Sequence, residues 1–424
     1  MGRFTADHTG GETMTHTFDL NDPAVIADPH PSYARLRAEA PVYHSLDPDL
    51  WIVSRYDDVR TVVRDAQRFS SAVGAIESDP FNPGMTPPKW LSHLLSRLTA
   101  VRVLLISDPP DHTILRRKVG RAFTPRRITA WEPRIREISA QLVDAMLTAD
   151  HPADLVRDLA SPLPTAIIAE MLGVPEARNA DFKRWSDDLV NGLLTGGSRV
   201  AMFRSAIAIS WFFFRTARRR RRDPGDDLIS LLVAGTGDDA LTTPEIVNFC
   251  ILLLAAGNET TTNLVANAML AVFDRPDLRQ QLRDDPPAAA AVVAETLRFD
   301  GPGQGLLRRA VTDISLSDTT IPAGAYVLPL IGAANRDPGH WPDPDEFRLD
   351  RPNIADHLAF GSGTHYCIGN ALARIEATAA IEEIMRRLPD VAPNGAPVRI
   401  ASPVLRGLRT LPVEFTRAHT AVAP

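Results

Sequence analysis

Phe360-Gly361-Ser362-Gly363-Thr364-His365-Tyr366-Cys367-Ile368-Gly369 places one cysteine behind two glycines and ahead of a third. Glycine lets the backbone pass close to a large flat object because it has no Cβ. One thiol, with no second cysteine nearby, donates a strong anionic ligand to a metal. On an iron porphyrin a single thiolate pushes electron density in the direction that favours O–O cleavage. The segment therefore points to haem and to oxygen chemistry. The residues alone leave a second reading open: a glycine-rich turn ahead of a helix over 370–387, with Cys367 a small buried hydrophobe.

Outward from this loop, three further segments carry chemistry. A helix is predicted to open near Thr242, with Pro244 in its first turn and Glu245 placed to complete a capping box. It then runs apolar on most faces, as a buried central helix does. Inside it lies Ala256-Gly257-Asn258-Glu259-Thr260-Thr261, polar where packing alone prefers Leu or Val. Such groups cost about 1–3 kcal/mol each when buried and unsatisfied. Thr260 is placed to bond back to the Ala256 carbonyl, which loosens the helix at small residues where a ligand fits; satisfied structure is the other reading. Glu295-Thr296-Leu297-Arg298 sets an acid and a base on one helical face, by itself an ordinary surface ion pair. Asp108-Pro109-Pro110-Asp111-His112-Thr113-Ile114-Leu115-Arg116 puts His112 and Arg116 one turn apart on one face. Porphyrin propionates need such cations, preferably arginine. The run Arg116, Arg117, Lys118 also reads as a solvated face.

The thiol loop resembles the ligand loop of the cytochrome P-450 family, the haem-thiolate monooxygenases, with Phe360, Gly361, Gly363, Cys367 and Gly369 matching in order. The order of propionate helix, oxygen helix, brace helix and thiolate loop extends the resemblance over roughly Asp28 to Pro412. It implies that Cys367 ligates the iron of haem b and that Phe360, Gly361, Ala256 and Gly257 line the cofactor. His112, Arg116, Arg308 and His365 correspond to the propionate partners, with Arg309 an alternative to Arg308. Glu259 and Thr260 match the acid and alcohol beside bound oxygen, with Glu where Asp is also common. Glu295 and Arg298 match the family's buried brace. Its third member is an Arg, often just ahead of an aromatic; Glu346 stands there before Phe347, so Arg351 or Arg348 must serve.

Composition narrows the classes. The 424 residues are 44% hydrophobic, enough for a large core, and no linker-like stretch divides them. A net charge of −6 gives no global basic field, which argues against nucleic acid as a partner. Two cysteines, Cys250 and Cys367, exclude a disulfide framework, and the polar start, Met1 to His16, reads as a frayed terminus over 1–17 of a cytoplasmic chain. The longest apolar run, Phe249 to Gly257, falls short of the roughly 20 residues that cross a bilayer, so no membrane anchor is expected. Trp211 to Phe214 followed by Arg218 to Arg222 invites a membrane-surface or acidic-partner reading; the expectation is instead a helix whose aromatics enter the core and whose arginines favour its C-terminal end.

Short alternating segments at Val42 to His44, Trp51 to Ser54, Ile314 to Leu316 and Tyr326 to Leu330 read as strands. Helical patterns cover Ile135 to Leu147, Asp181 to Leu194, Ser198 to Arg218, Pro244 to Phe273 and Ala288 to Phe299. Prolines collect in loops such as Pro80 to Pro88 and Pro338 to Pro352. The fold class is mainly α with a small β region, and the resemblance implies a cytochrome P-450 fold in one large domain over 18–424.

The activity implied is insertion of one oxygen atom from O2 into a small organic substrate, with Glu259 and Thr260 relaying protons. No Rossmann, flavin or iron–sulfur signature is present, so electrons come from outside, through a ferredoxin and its NAD(P)H-dependent reductase. Alternatives are an oxidative ring-closing or coupling enzyme, a peroxide-driven enzyme, and a non-catalytic haem protein; the acid and alcohol argue against the last two. By resemblance the pocket draws on 73–98, 181–203, 253–260 and 303–307, which suggests an apolar, fairly bulky substrate such as a steroid, terpene, fatty acid or macrolide. The expectation is a monomer, in secondary metabolism.

Overall fold

Thr242 caps the helix around which the molecule is arranged. In the computed structural model, which describes residues 18–73, 102–194 and 197–416, the Glu245 N–H donates to Thr242 Oγ1 while Glu245 Oε2 accepts the Thr242 N–H at 2.8 Å. That is the capping box expected from the sequence. Numbered along the chain, the helices that position the site are α1 Tyr56–Arg64, α2 Asp111–Gly120, α3 Glu132–Thr148, α4 Pro162–Met171, α5 Asn179–Leu194, α6 Arg199–Arg220, α7 Thr243–Phe273, α8 Ala289–Phe299 and α9 Asn370–Arg387. Helix α7 packs against α4, α6, α8 and α9, and α9 packs against α3. Residues 261–269 of α7 are buried without interruption. Among the described residues, Gly237–Phe273 is long and apolar enough, by length and composition, to cross a bilayer. The short apolar run read from the sequence understates this helix, because a few polar residues interrupt a stretch that is apolar on average. Its packing on four neighbours makes it the axis of the core.

The β region is small, as expected. Strands β1 Val42–Leu46, β2 Asp49–Val53, β3 Phe69–Ser70, β4 Arg308–Ala310, β5 Ile314–Leu316, β6 Thr319–Ile321 and β7 Tyr326–Pro329 include all four predicted segments. Their main sheet has the order β1-β2-β7-β4-β3, with β2 parallel to β7 and the other neighbours antiparallel. Val53, Phe69 and Val327 of this sheet, with Val59 and Val62 of α1, form a core separate from the helical one. The sheet matters to the site because β4 carries Arg308 and α1 touches the cysteine loop.

One expectation fails. The aromatics Trp211 to Phe214 do not all enter the core: Phe213 is buried, Phe212 and Phe214 are half-buried, and Trp211 is 59% exposed. Successive helical residues turn by 100°, so four in a row cannot share one face. The arginines do gather at the C-terminal end of α6, where Arg220 pairs with Asp227 at 2.5 Å. The terminal segment 1–17, the loop Pro80 to Pro88 and positions 74–98 of the expected pocket lie outside the described residues.

Candidate active site

The cysteine loop is shaped by its own backbone. Gly361 (φ +70°) and Gly363 (φ +69°) adopt a conformation that side-chain-bearing residues rarely take, and a Cβ on Gly363 would stand 3.1 Å from the Arg64 Cα of α1. The Gly361 N–H donates to Leu358 O at 2.8 Å and the Cys367 N–H to Phe360 O at 2.9 Å, closing the loop before α9 begins. Cys367 is half-buried. Burial pushes its thiol up, while the N–H groups of Gly369 and Asn370 and the nearby Arg116 guanidinium favour the thiolate.

Basic groups converge beside this thiol. His112 and His365 have ring centres 4.1 Å apart. Both ring nitrogens of His112 and the Nε2 of His365 are buried with no hydrogen-bond partner. Burial, then the charges of His112 and Arg308, lowers the His365 pKa to about 4, and burial followed by Arg116 lowers that of His112. Arg308 is buried, and the hydrogen bond its guanidinium makes is to the neighbouring Leu307 carbonyl at 2.9 Å. Its pKa falls to about 10 through burial. Arg309 faces outward and bonds the Gly324 carbonyl at 3.2 Å, which separates the two candidates the sequence left open. Arg116 is half-buried in the field of Cys367. Asp108, the acid that faces this group, is already engaged by the Ser70 hydroxyl and by the Ser71 N–H at 2.8 Å. A buried set of bases and cations with unmet donors is a site for an anion.

Helix α7 carries the second group of candidate residues. The Thr260 hydroxyl donates to Ala256 O at 2.7 Å, as the sequence suggests. Ala256 is exposed in a helix whose flanking turns are buried, so the helix surface opens there. Gly257 faces the other way, where an added Cβ would lie 3.0 Å from Ile168 Cδ1 of α4; its missing side chain permits that close packing. Glu259 accepts from Asn263 Nδ2 at 3.4 Å, and burial raises its pKa, with Asp187 of α5 adding to the rise. Sequence reasoning gave Asn258 no role. Its amide donates to Ser186 Oγ of α5 at 2.9 Å and accepts from Thr165 Oγ1 of α4 at 3.0 Å, tying three helices beside Glu259. A carboxamide in an apolar helix was the available signal.

Glu295 and Arg298 are not a surface pair. Their side chains are 1% and 0% exposed. Arg298 donates to Glu295 Oε1 at 2.7 Å and Oε2 at 2.9 Å, and to the carbonyls of Asn335, Pro344 and Glu346. Arg351 is the third member, donating to Glu295 Oε1 at 3.0 Å and to the carbonyls of Pro342, Asp343 and Glu346. Arg348 contributes its backbone N–H to Glu295 at 2.9 Å, while its side chain pairs with Asp350 at the surface. Glu346, which stands where the family places an arginine, offers only its carbonyl. Asn335, held by Arg298, accepts the Leu358 N–H through its side chain at 2.8 Å and so connects the brace to the cysteine loop.

A lone thiol in a glycine-shaped loop with unsatisfied bases beside it defines a haem-thiolate protein, and the donor set present fits that group. The cytochrome P450 family profile matches residues 212–406. The chain is 40% identical over 405 residues to cytochrome P450 monooxygenase PikC of Streptomyces venezuelae, covering 93% of each. It superposes on the structure of CYP109Q5 from Chondromyces apiculatus with a TM-score of 0.83 at 37% identity, covering 94% of this chain and 98% of that one. CYP109E1 from Bacillus megaterium, in complex with corticosterone, matches with a TM-score of 0.80 at 32% identity over 91% of this chain and 98% of that one. The chain belongs to the cytochrome P450 family and is a monooxygenase with the P450 fold and a haem-iron cofactor.

Proposed function

We propose that this P450 inserts one oxygen atom from O2 into a small, largely apolar substrate, by hydroxylation or epoxidation, as one cytoplasmic unit over residues 18–424. Cys367 would hold the iron of haem b and His112, Arg116, Arg308 and His365 its propionates, with Phe360, Gly361 and Ala256 lining the ring; Gly257, expected beside them, instead packs against Ile168 of α4 and serves the helix contact. The observation that carries this reading is the buried, partnerless set of His112 and His365 nitrogens beside the one half-buried thiol. Bound there, the haem supplies the oxidation, and the protein supplies orientation, electronics and protons.

Thr260 is placed to hold a proton at Oγ1, since its hydroxyl is fixed by the Ala256 carbonyl at 2.7 Å. Glu259, whose raised pKa keeps a proton closer to neutrality, is placed to replenish it. Asn258 and the α5–α7 contact hold this pair in register. Electrons arrive from a ferredoxin and its NAD(P)H-dependent reductase. A steroid-sized substrate suits the apolar residues around 253–260 and 303–307, and the corticosterone bound by CYP109E1 supports that size class. A role in secondary metabolism accords with the similarity to PikC.

The test is the reduced carbon monoxide spectrum. The red-shifted band of a thiolate-ligated haem appears in the wild type and is lost in Cys367→Ser, whose hydroxyl is a poor anionic ligand. A wild type without that band overturns the assignment.

A further inference from the structure

The face of α6 that fails to enter the core carries an organised surface. Val200, Phe203, Ile207 and Trp211 are 69%, 61%, 71% and 59% exposed. Their spacing of three, four and four residues puts them within an arc of about 80° along one side of the helix. The opposite side, with Met202, Ser205, Ile209, Phe213 and Ala217, is buried against α5 and α7. Charge is organised too: residues 199–222 hold eight arginines and no acid, in a chain of net charge −6. Arg220 and Arg221 are committed inward, to Asp227 and to the Thr243 hydroxyl and Leu241 carbonyl. Arg204, Arg215, Arg218, Arg219 and Arg222 are exposed. The Arg215 and Arg218 guanidiniums lie 6.0 Å and 5.6 Å from the Trp211 and Phe214 ring centres, with their stems along the apolar stripe.

At the C-terminal end of the stripe a cleft of about 330 Å³ is lined by Phe214, Arg218, Arg221, Arg222 and Thr243. Arg221 donates to the Thr243 hydroxyl on its wall, and the exposed guanidiniums of Arg218 and Arg222 beside them suit a phosphate. We propose that α6 is an interfacial helix that docks reversibly on an anionic phospholipid bilayer, with Val200, Phe203, Ile207 and Trp211 at the acyl boundary and the arginine cleft on lipid phosphates.

Charge complementarity selects this occupant. A second copy fits poorly: antiparallel packing sets Arg215 to Arg222 against Arg199 and Arg204, parallel packing sets like on like, and the helix has no acid to relieve either. The apolar side chains stand exposed along one side of the helix, an arrangement that a bilayer surface meets directly. Amphipathic helices of this composition, arginine beside an aromatic stripe, bind in the headgroup plane without crossing it. Because α6 packs on α5, docking sets the wall of the proposed pocket at a phase where apolar substrates collect.

The experiment is sedimentation of the full-length holoenzyme with phosphatidylcholine vesicles and with mixed phosphatidylcholine–phosphatidylglycerol vesicles. The wild type sediments with the anionic vesicles, and added salt weakens binding. Ile207→Ser combined with Trp211→Ser weakens partitioning at least about tenfold, whereas Trp211→Phe retains it. Arg215→Gln combined with Arg218→Gln abolishes the preference for phosphatidylglycerol. The haem absorption spectrum, unchanged in each variant, shows that the fold is intact. A wild type that ignores anionic vesicles, or undiminished binding by the serine pair, overturns the proposal. Capture of an acidic protein through the stripe by an enzyme that ignores vesicles also overturns it, in favour of a protein partner.

Discussion

Two buried clusters of charge lie within reach of the same loop and differ in one respect. In the brace, Glu295, Arg298 and Arg351 answer one another, and their remaining donors end on main-chain carbonyls. In the cluster of His112, Arg116, Arg308 and His365, the two guanidiniums share a sign, and both ring nitrogens of His112 and the Nε2 of His365 end on nothing. Glu295, Arg298 and Arg351 on one side and His112 and Arg308 on the other are all buried, so burial alone does not distinguish architecture from function. Satisfaction does: the brace is complete within the chain, and the basic cluster is complete only with an anion from outside.

Each side of that contrast is open to attack by mutation. The largest effect is expected at Glu295→Ala, which strands two buried guanidiniums and costs about 3–5 kcal/mol. Chemical denaturation measures it, and a loss below 1 kcal/mol would return the pair to the surface class. Arg308→Leu should have the opposite signature. The haem-free protein is unchanged or more stable, because an unpaired buried cation is removed, while haem affinity falls by the worth of a charged hydrogen bond, about 1.5–3 kcal/mol. Equal losses in the haem-free and haem-bound forms would make Arg308 a second brace.

Glu376 sharpens the contrast from a third direction, as an acid buried on α9 whose pKa burial alone pushes up to about 8. Its folded-state pKa lies above the unfolded value near 4.5, so the unfolded chain releases the proton first. Its contribution to stability is therefore present below pH 4.5 and is lost as pH rises toward 8. Glu376→Gln should remove up to about 1.4 kcal/mol per pH unit from the slope of stability in that window, read as Tm against pH. The smallest structural effect belongs to Thr260→Ala, where one helix-internal bond to Ala256 is lost and stability moves by less than about 1 kcal/mol. Its signature is functional: more hydrogen peroxide and less product per NAD(P)H consumed, with haem content unchanged. Unaltered coupling would make this hydroxyl structural.

Much of the architecture could be read from local pattern. The cap at Thr242, the central helix and the helix after the cysteine follow from spacing and composition, and the glycines at 361 and 363 from the loop they must form. The thiol announced its chemistry because a lone cysteine in a glycine-rich loop has few roles. What the residues could not disclose was which polar groups face one another across the fold. Glu295 and Arg298 look like an exposed pair because helical spacing is the same at a surface and in a core. Arg308 and Arg309 are indistinguishable until β4 turns one inward and the other out. Arg351 became the third member of the brace, and Trp211 stayed outside, because long-range packing alone sets which face of a chain meets the interior. Sequence thus determined the elements, their ends and the candidate ligand of the iron. Tertiary structure decided burial and partnership, since both depend on residues far apart in the chain that only folding brings within a few ångströms.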